Sequence, residues 1–554
     1  MSDYRFGVNQ TVFGCPVLPT DRPSYYLAIL LTYYFMEQLL KVFFLPFRAL
    51  GLFVAFLLKK QILSRTEGAR LAGKRDYSDR LNARNTGLLL DGDSLKLSEK
   101  ESFQNVCVIA RVGAGKTSRY IIPNVIERGN SKTPCSVVVN DPKGEVYEAT
   151  SGYMKSHGFR VIVIDPEHPD RSHTFNPLTE ARDDIELDQI AEILIKAGKG
   201  GGNSQGGSSS GDFWASGAVR FVSVFLGCLK NAGRDNPKYN TLANLYYLFQ
   251  NFGEDGSKLD GFMARYSIDP DDPKDTRLWN EWQGVLTGNK EGVQSFVLNG
   301  ITALSAMRQA NITKITNESS FALDTFREQK TIIYFITPPQ HQEYYSFLTS
   351  LFFRSVFNAC MRKQPNEAGK GRSQSNNKPY LPVYVLYDEF GHSTIPNFVS
   401  TANTIRGYRV SLSIVLQSIA QLNARYGRDY AQSIQGGFGT QIAYAGSDPE
   451  TASFFERIIG RTRVYQYQDP TAGNGHSATS HMENYREQNL MNSNEIRTMN
   501  RDEVLIVSGN QDPIKIPSRA YFEVSRMKRA TDTARYPSVP VEAGRAGDGV
   551  YVPL

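Results

Sequence analysis

The feature that most constrains this chain is a short apolar run that changes into glycines and ends in Lys-Thr, Val106-Cys-Val-Ile-Ala-Arg-Val-Gly-Ala-Gly-Lys-Thr117. The residues up to Ala110 are β-prone, and Thr117 to Glu127 can begin a helix, so the run predicts a strand, a loop and a helix. A polyphosphate needs several backbone N–H groups pointing at it, and glycine permits that close approach. The sequence therefore predicts a phosphate loop between the strand and the helix.

Each residue of the predicted loop has a separate part in binding. Gly113, Ala114 and Gly115 would turn backbone N–H groups towards the phosphates. Lys116 would place a positive charge between the β- and γ-phosphates, and the Thr117 hydroxyl would ligate the Mg²⁺ that bridges them. The loop thus predicts a nucleoside triphosphate and Mg²⁺ as ligands.

One position departs from the strict form of the motif. The pattern is A-x-x-x-x-G-K-T, and Ala110 stands where the strict motif has glycine. A small residue there keeps the loop possible, so the match is permissive. The alternative is a glycine-rich turn with no ligand, and the rest of the chain has to decide between the two.

Length, charge and cysteine content limit the classes of protein to which the loop can belong. A chain of 554 residues suits two to four domains. The net charge of +6 is compatible with a polyanionic partner but does not establish one. Five scattered cysteines, without a C-x-x-C pair, predict neither a disulfide framework nor a zinc site, and they indicate a reducing compartment.

The segment from Tyr25 to Leu58 is almost wholly apolar and aromatic, and it predicts a membrane anchor. As one helix it would be about 50 Å long, so a single span of the roughly 30 Å hydrocarbon core needs tilt or a kink at Pro46. Two spans, or a buried helical hairpin, remain alternatives, and Glu37 and Lys41 would pair within the helix or between subunits. Basic residues follow and place the rest on the cytoplasmic side: Lys59, Lys60, Arg65, Arg70, Lys74 and Arg75.

Two further apolar runs, Ser136 to Asn140 and Val161 to Ile164, each end in an aspartate, as expected of parallel α/β architecture with its site at the carboxyl edge. Asp141 and Lys143 could either support the bound nucleotide or cap a helix. The sequence leaves both interpretations open.

From Asp183 to Asp324 the periodicity changes to that of helices, and we predict an all-α insertion. Within it, Gly198 to Gly211 predicts a mobile loop. Asp212-Phe-Trp214 could stack on nucleic acid bases, although core packing is the favoured interpretation. Helical spacing is found in four segments: Ile185 to Ala197, Trp214 to Leu229, Thr241 to Phe252 and Glu291 to Met307.

The α/β pattern then returns and ends in two carboxylates. After a strand at Thr331 to Ile336, a helix at Tyr344 to Met361 and a polar linker comes Val383-Tyr-Val-Leu-Tyr-Asp388-Glu389-Phe390. Asp388 would hold the water shell of Mg²⁺, and Glu389 would accept a proton from the water that attacks the γ-phosphate. Such a run is common alone, but it carries weight after a phosphate loop.

A strand at Val410 to Leu416 follows, and polar candidates lie on both sides of it. Gln417 fits a sensor of the γ-phosphate. Arg406 fits an arginine finger that reaches a neighbouring subunit, and a solvated arginine is the equal alternative. Strands are predicted at Gln441 to Ala445 and Val504 to Val507, a loop at Gly460 to Met491, and disorder after Phe522.

Six blocks in this order resemble the coupling proteins of type IV secretion and conjugation, which are membrane-anchored RecA-like ATPases. The resemblance covers Val106 to Phe522. The blocks are the phosphate loop followed by Ile121-Ile-Pro123, Asp141-Pro-Lys-Gly-Glu145, Phe175-Asn-Pro-Leu178, Asp388-Glu-Phe390, Leu416-Gln-Ser418, and Gly439-Thr-Gln441 running into Ser447-Asp-Pro-Glu-Thr-Ala452.

The resemblance implies an α/β fold: a RecA-like nucleotide-binding domain with an inserted all-α domain and an N-terminal transmembrane helix segment in the bacterial inner membrane. It implies hexamers that use ATP and Mg²⁺ to deliver relaxase-bound, single-stranded DNA to a type IV secretion channel. By position, Lys116 and Thr117 carry over as nucleotide contacts, Asp388 and Glu389 as the hydrolytic pair, Gln417 as sensor and Arg406 as finger. The predicted division is an anchor at 1–70, the nucleotide-binding domain at 71–182 and 325–522, the all-α domain at 183–324, and a tail at 523–554.

Two other functions fit the same motifs. Family members also deliver effector proteins, and the absence of a long acidic recruiting tail favours DNA over such cargo. A nucleotide-gated docking scaffold, in which ATP only holds the hexamer together, is the second alternative. The chain also departs from the family in Ala110 and in a short, charged membrane region.

Overall fold

A computed structural model describes residues 67–198, 209–270, 272–363, 380–467, 483–541 and 549–554. The predicted anchor at Tyr25 to Leu58 and the linker at Gln364 to Lys378 lie outside these ranges, as does most of the loop at Gly198 to Gly211. None of the helices in the described ranges combines the length and the apolar character that crossing a membrane requires.

Twelve strands form two sheets in the described residues. Nine of them make one sheet in the order β12-β11-β8-β2-β7-β6-β3-β5-β4, and β1, β9 and β10 make a small second sheet. The strands are β1 (Glu67–Gly68), β2 (Val106–Ile109), β3 (Ser136–Asp141), β4 (Arg160–Ile164), β5 (Thr331–Ile336), β6 (Val383–Tyr387), β7 (Val410–Leu416), β8 (Thr440–Tyr444), β9 (Arg461–Tyr467), β10 (Glu483–Asn489), β11 (Glu503–Ser508) and β12 (Ile514–Pro517).

The large sheet is parallel from β8 to β4, and at one edge β11 pairs antiparallel with both β8 and β12. Both of its faces are covered, because successive residues of one strand belong to two different cores. Cys107 and Ile109 pack in one core, and Val106 and Val108 pack in the other. Burial on both faces explains why the parallel strands read as continuous apolar runs. The predicted parallel α/β architecture is confirmed.

Helices connect the strands and supply both cores. They are α1 (Lys74–Tyr77), α2 (Glu99–Ser102), α3 (Ile122–Gly129), α4 (Glu145–Ser156), α5 (Pro177–Glu180), α6 (Asp184–Gly198), α7 (Ser209–Asp235), α8 (Leu242–Gln250), α9 (Asp260–Tyr266), α10 (Arg277–Leu286), α11 (Lys290–Ala303), α12 (Ala310–Thr316), α13 (Ser346–Arg362), α14 (Phe398–Thr404), α15 (Ile419–Tyr426), α16 (Arg428–Gly436), α17 (Pro449–Ile459), α18 (Ser493–Arg497) and α19 (Ser525–Ala530).

Between β4 and β5 the described residues form helices joined by turns and loops, with one isolated β-bridge between Asp269 and Asp272, and α7 lies at the centre. The rings of Phe221, Phe225 and Phe252 pack around the buried indole of Trp282. Asp212 and Trp214 lie in α7, but their side chains are outside the described part. By contacts, the described residues within 68–462 and 488–554 form one compact unit.

The loop predicted at Gly460 to Met491 is wrong in part, because the structure has the strands β9 and β10 there. The sequence of β9, Arg-Thr-Arg-Val-Tyr-Gln-Tyr, mixes polar residues with β-branched and aromatic ones, which favour a strand. Arg463 and Glu487 pair across the two strands, with 3.2 Å between Nε and Oε1. Polar residues such as the exposed Arg463 and Glu487 concealed these strands from a search for hydrophobic periodicity.

The prediction of disorder after Phe522 is also wrong for the described part of that segment. Helix α19 forms at Ser525–Ala530, and the chain then packs along α4. The Val539 N–H donates to Ser151 Oγ at 3.1 Å, and the Tyr147 hydroxyl donates to the Val539 carbonyl. Tyr536 packs edge-on against Tyr153. A few aromatic and backbone anchors hold a segment whose average composition is that of disorder.

Gly152 on α4 provides a test of this docking. A Cβ there would lie 2.2 Å from the Pro537 carbonyl oxygen, so Gly152→Ala should displace the tail. We expect hydrogen exchange at the Val539 N–H to accelerate at least about tenfold, which corresponds to about 1.4 kcal/mol of lost docking. Gly436→Ala, with open space around the new methyl group, is the matched control. Unchanged exchange in Gly152→Ala would contradict the docked tail.

Candidate nucleotide site

The predicted phosphate loop lies where β2 ends, at the carboxyl edge of the parallel strands. Gly113 and Gly115 have φ angles of 79° and 88°, in the left-handed region that favours glycine. A π-helical turn at Thr117–Ile121 follows and continues into α3. The strand, loop and helix predicted from the sequence are therefore present, although the first turn is wider than an α-helix.

Ala110 continues β2 rather than turning the chain. Its N–H donates to the Leu416 carbonyl at 2.9 Å, and its side chain is fully buried against the core. Its φ is not among the positive values in the described chain, so no glycine is needed at this position. The departure from the strict motif is thus accommodated by a small side chain on an extended strand.

The structure brings the loop and the acidic pair together. Lys116 Nζ donates to Glu389 Oε1 at 3.1 Å and lies 3.6 Å from Asp388 Oδ1. The Thr117 hydroxyl donates to Asp388 Oδ2 at 3.0 Å. Asp388 and Glu389 directly follow β6, which is separated from β2 by β7, so the sheet order itself creates this meeting point.

The backbone at the acidic pair is held in an unusual conformation. Glu389 has φ 54° and ψ 44°, in the left-handed region that non-glycine residues seldom adopt. Asn140 at the end of β3 donates its side-chain N–H to the Asp388 carbonyl at 2.7 Å, and Asp388 Oδ1 accepts the Glu389 N–H at 2.9 Å. Such strain costs about 1–3 kcal/mol and is typical of functional positions.

Burial and Lys116 set the ionisation of the two carboxyls in opposite directions. Burial is the largest influence on the pKa of Glu389 and raises it, but the Lys116 ammonium at 3.1 Å, together with His392 and Gln342, outweighs burial and leaves the pKa below its ordinary value. Burial raises the pKa of Asp388 by more than Lys116 and the Thr117 hydroxyl lower it. Glu389 is thus held ionised beside Lys116.

Gln417, at the end of β7, is at the edge of this cluster. Its side-chain nitrogen lies 3.5 Å from Glu389 Oε1, a long contact. The sequence did not single out two neighbours, Gln421 and His392. The Gln421 amide nitrogen lies 3.1 Å from His392 Nε2, which in turn lies 3.8 Å from Glu389 Oε2. Their positions on α15 and after Glu389 carry no motif that would have indicated them.

Arg406 is not part of this cluster. It is exposed in a short 3₁₀ helix, Ile405–Tyr408, which directly precedes β7. Gln417 follows the same seven-residue strand, so about 20 Å of strand separates the two ends. Within one chain, Arg406 lies at the opposite edge of the sheet from the phosphate loop.

The structure shows Asp141 hydrogen-bonded to the start of a helix, and its other predicted role, support of a bound nucleotide, stays a prediction. Asp141 Oδ2 accepts the Tyr147 N–H at 2.8 Å in the first turn of α4, and Lys143 is exposed. Burial raises the pKa of the Asp141 carboxyl to about 7, and the negative charge of Asp388 contributes in the same direction.

A cleft of about 600 Å³ lies beside the loop, and sequence reasoning missed it. It has room for a nucleoside next to the phosphate position, and Arg119, on its wall, is held by Asp502 at 2.7 Å. Arg111 at the start of the loop also lines it, and its other walls come from distant parts of the chain and include Arg497, Arg501 and Phe522.

The residues fit a nucleoside triphosphate with Mg²⁺. Mg²⁺ prefers oxygen ligands and is usually bound by one or two carboxylates together with substrate phosphates. The Thr117 hydroxyl and the Asp388 carboxylate supply such oxygens 3.0 Å apart, directly beside the Lys116 ammonium.

Comparisons with known proteins place this geometry in context. A family model described as Type IV secretory system Conjugative DNA transfer matches residues 60–540. Protein VirD4 of Rhizobium rhizogenes is 25% identical over 435 residues, which cover 76% of this chain and 59% of the relative. Conjugal transfer protein TraG of Escherichia coli is 22% identical over 383 residues, which cover 67% of this chain and 57% of the relative. The chain thus spans little more than half the length of these curated relatives.

Solved structures share the fold. The bacterial conjugative coupling protein TrwBdeltaN70 in its unbound form has a TM-score of 0.61 at 14% identity, over 82% of this chain and 93% of that chain. The plasmid coupling protein TrwB in complex with the ATP analogue ADPNP has a TM-score of 0.59 over 82% and 94%. At this identity the likeness shows the α/β fold alone.

The accommodation of Ala110 predicts two different outcomes at one position. Ala110→Gly should leave the affinity for a fluorescent ATP analogue nearly unchanged, because both alanine and glycine can adopt the extended backbone found at this position. Ala110→Leu should abolish binding, because three more carbons in a filled core would displace the loop. Equal affinity in both variants would show that the loop does not depend on this contact.

The buried Asp141 carboxyl predicts a pH dependence of stability. A carboxyl whose pKa is raised on folding stabilises the protein below its unfolded pKa and loses that contribution as pH rises through about 7. Asp141→Asn keeps an oxygen for the Tyr147 N–H and removes the titration. In ligand-free protein, we expect the melting temperature of Asp141→Asn minus that of the parent to increase as the pH rises from about 4 to about 8. The control is Asp170→Asn, at an exposed position. If the difference in melting temperature between Asp141→Asn and the parent did not change with pH, the prediction would be refuted.

Proposed function

We propose that this chain, which belongs to the family of type IV secretory system proteins for conjugative DNA transfer, is an ATP-driven coupling protein. Its substrate would be relaxase-bound, single-stranded DNA, which it would deliver to a type IV secretion channel. The observation that carries the proposal is the convergence of Lys116, Thr117, Asp388, Glu389 and Gln417 at one edge of the sheet.

The contacts among these residues suggest how hydrolysis would begin. Lys116 is paired with Glu389, and it would have to exchange this carboxylate for the phosphates of ATP. The exchange would release Glu389, which Lys116 keeps ionised in the ligand-free site by lowering its pKa, to accept a proton from the attacking water. Bound Mg²⁺, held by Thr117 and Asp388, would neutralise charge on the β- and γ-phosphates. Gln417, close to Glu389, would orient that water or detect the γ-phosphate.

The finer parts of the proposal concern assembly and location. Arg406 is exposed and far from the site of its own chain, which suits a finger that completes the site of a neighbouring subunit in a hexamer. The apolar segment from Tyr25 to Leu58 would anchor the protein in the bacterial inner membrane, with the motor on the cytoplasmic side. The relaxase and the channel components would be its protein partners.

Two substitutions at the site test the enzymatic proposal. Lys116→Ala should abolish hydrolysis, because it removes the charge that holds the phosphates. Glu389→Gln should lower the rate about 100-fold or more while ATP binding persists, because an amide cannot accept the proton. Both are measured as ATP hydrolysis by purified full-length protein, with and without single-stranded DNA, and we expect DNA to stimulate the parent.

The control for these variants is Gln250→Leu, an exposed substitution in α8 away from the site. Absence of hydrolysis by the parent under either condition, or hydrolysis unchanged by Lys116→Ala, would refute the enzymatic function. If DNA transfer in cells continued with Glu389→Gln, the protein would act as a nucleotide-gated scaffold rather than as a motor.

A further inference from the structure

The last residues of the chain pack on the helical region in a way that the proposed function does not use. The side-chain amide of Asn244, in the first turn of α8, contacts two backbone groups of this segment. Asn244 Nδ2 donates to the Val550 carbonyl at 2.9 Å, and the Val552 N–H donates to Asn244 Oδ1 at 3.0 Å. The C=O of one residue and the N–H two residues later point to the same side of an extended chain. One amide therefore pairs with an extended peptide much as a neighbouring strand would.

The side chains of Val552 and Tyr551, on opposite faces of the extended segment, differ in burial. Val552 is only 2% exposed and belongs to the core that includes the helical region. Tyr551 points the other way, remains largely exposed, and lies against the ring of Tyr247 with centroids 4.6 Å apart. Backbone pairing supplies affinity in such contacts, and alternate side chains supply specificity.

The segment is also suited to bind as an extended peptide. Val552 is β-branched and precedes Pro553, and a residue before proline is excluded from the helical region. Its conformation is therefore restricted before it binds, which lowers the entropy lost on docking.

The helical region is shaped for this ligand rather than merely covered by it. Asn244 is itself only 1% exposed, and among the described residues the Val552 N–H is the one donor to its Oδ1. The other half of the amide is held by the carbonyl of Tyr239 at 3.1 Å and the hydroxyl of Thr241 at 3.2 Å, which fix its orientation. Without an occupant, a pre-oriented and buried acceptor would lack its donor.

We propose that Asn244 and Tyr247 form a peptide-binding site, whose ligand is an extended segment with an aromatic residue followed by a β-branched residue and proline. The protein's own residues 549–554 fill this site reversibly. Because the tail is tethered through Val541, it competes with any other peptide at an effective concentration set by the short connecting segment.

The test uses the acetylated and amidated peptide Gly-Val-Tyr-Val-Pro-Leu, labelled with a fluorophore, so that the charges of chain ends play no part. Its binding is compared between the full-length protein and a variant that lacks residues 549–554. We expect saturable binding to the variant, and an affinity for the full-length protein at least about tenfold weaker, because its own tail occupies the site.

Substitutions on both partners then locate the contact. Asn244→Leu should abolish binding, Tyr247→Ala should weaken it, and Gln250→Leu, on an exposed position of the same helix, should leave it unchanged. A peptide with aspartate in place of the second valine should not bind, because the buried position would receive a charge. The aspartate substitution is in the peptide and the protein keeps Asn244. The aspartate peptide therefore tests the proposed contact even if Asn244→Leu does not fold.

Failure of the peptide to bind the shortened variant would overturn the proposal, as would binding that is indifferent to both Asn244→Leu and the aspartate peptide. ATP hydrolysis is measured on the same samples. Its persistence in the shortened variant would show that the peptide site and the phosphate loop are separate, so the failure of one proposal leaves the other standing.

Discussion

The contact between Lys116 Nζ and Glu389 Oε1, at 3.1 Å, is the interaction on which the rest of the site depends. It joins two segments that are more than 250 residues apart in sequence, as the separation of 273 shows. Such a contact needs a sheet in which β2, β7 and β6 are neighbours and parallel, because only then do their carboxyl ends lie at the same edge. The left-handed backbone of Glu389 and the hydrogen bond from Asn140 then turn the carboxylate towards the lysine.

Much of this arrangement follows from sequence patterns with a direct physical cause. Fully buried parallel strands are mainly apolar, with their few polar side chains hydrogen-bonded, and β2, β3, β5, β6 and β7 could be predicted from the sequence for that reason. Their polar successors, Asp388 and Gln417 among them, follow from the rule that sites lie at the carboxyl edge. The same rule places any residue that precedes a strand at the opposite edge, where Arg406 is found. The phosphate loop was recognisable despite Ala110, since the glycines at positive φ carry the geometry.

The remaining features depend on contacts between residues that are far apart in the sequence, so no local sequence pattern indicates them. The strands β9 and β10 are polar, so hydrophobic periodicity does not reveal them, and β12 is a four-residue edge strand. The ordered tail is held by isolated contacts, such as that of Val552 with Asn244, between positions 308 residues apart. The hydrogen bond from the Tyr147 N–H to Asp141, the last residue of β3, likewise depends on how α4 packs beside the strand. Each of these outcomes is decided by tertiary contacts.

The strand order also has a consequence for how the protein is made. β2 lies between β7 and β8, so it is synthesised long before either neighbour exists. A ribosome that adds about 5–20 residues per second needs roughly 15–60 s to cover the roughly 300 residues between them. During that time an apolar strand and its glycine loop have no sheet to join, while the helical region can already fold locally. The nascent chain therefore passes through a stage in which a folded helical region accompanies an open sheet edge, which is the kind of surface that chaperones protect from aggregation.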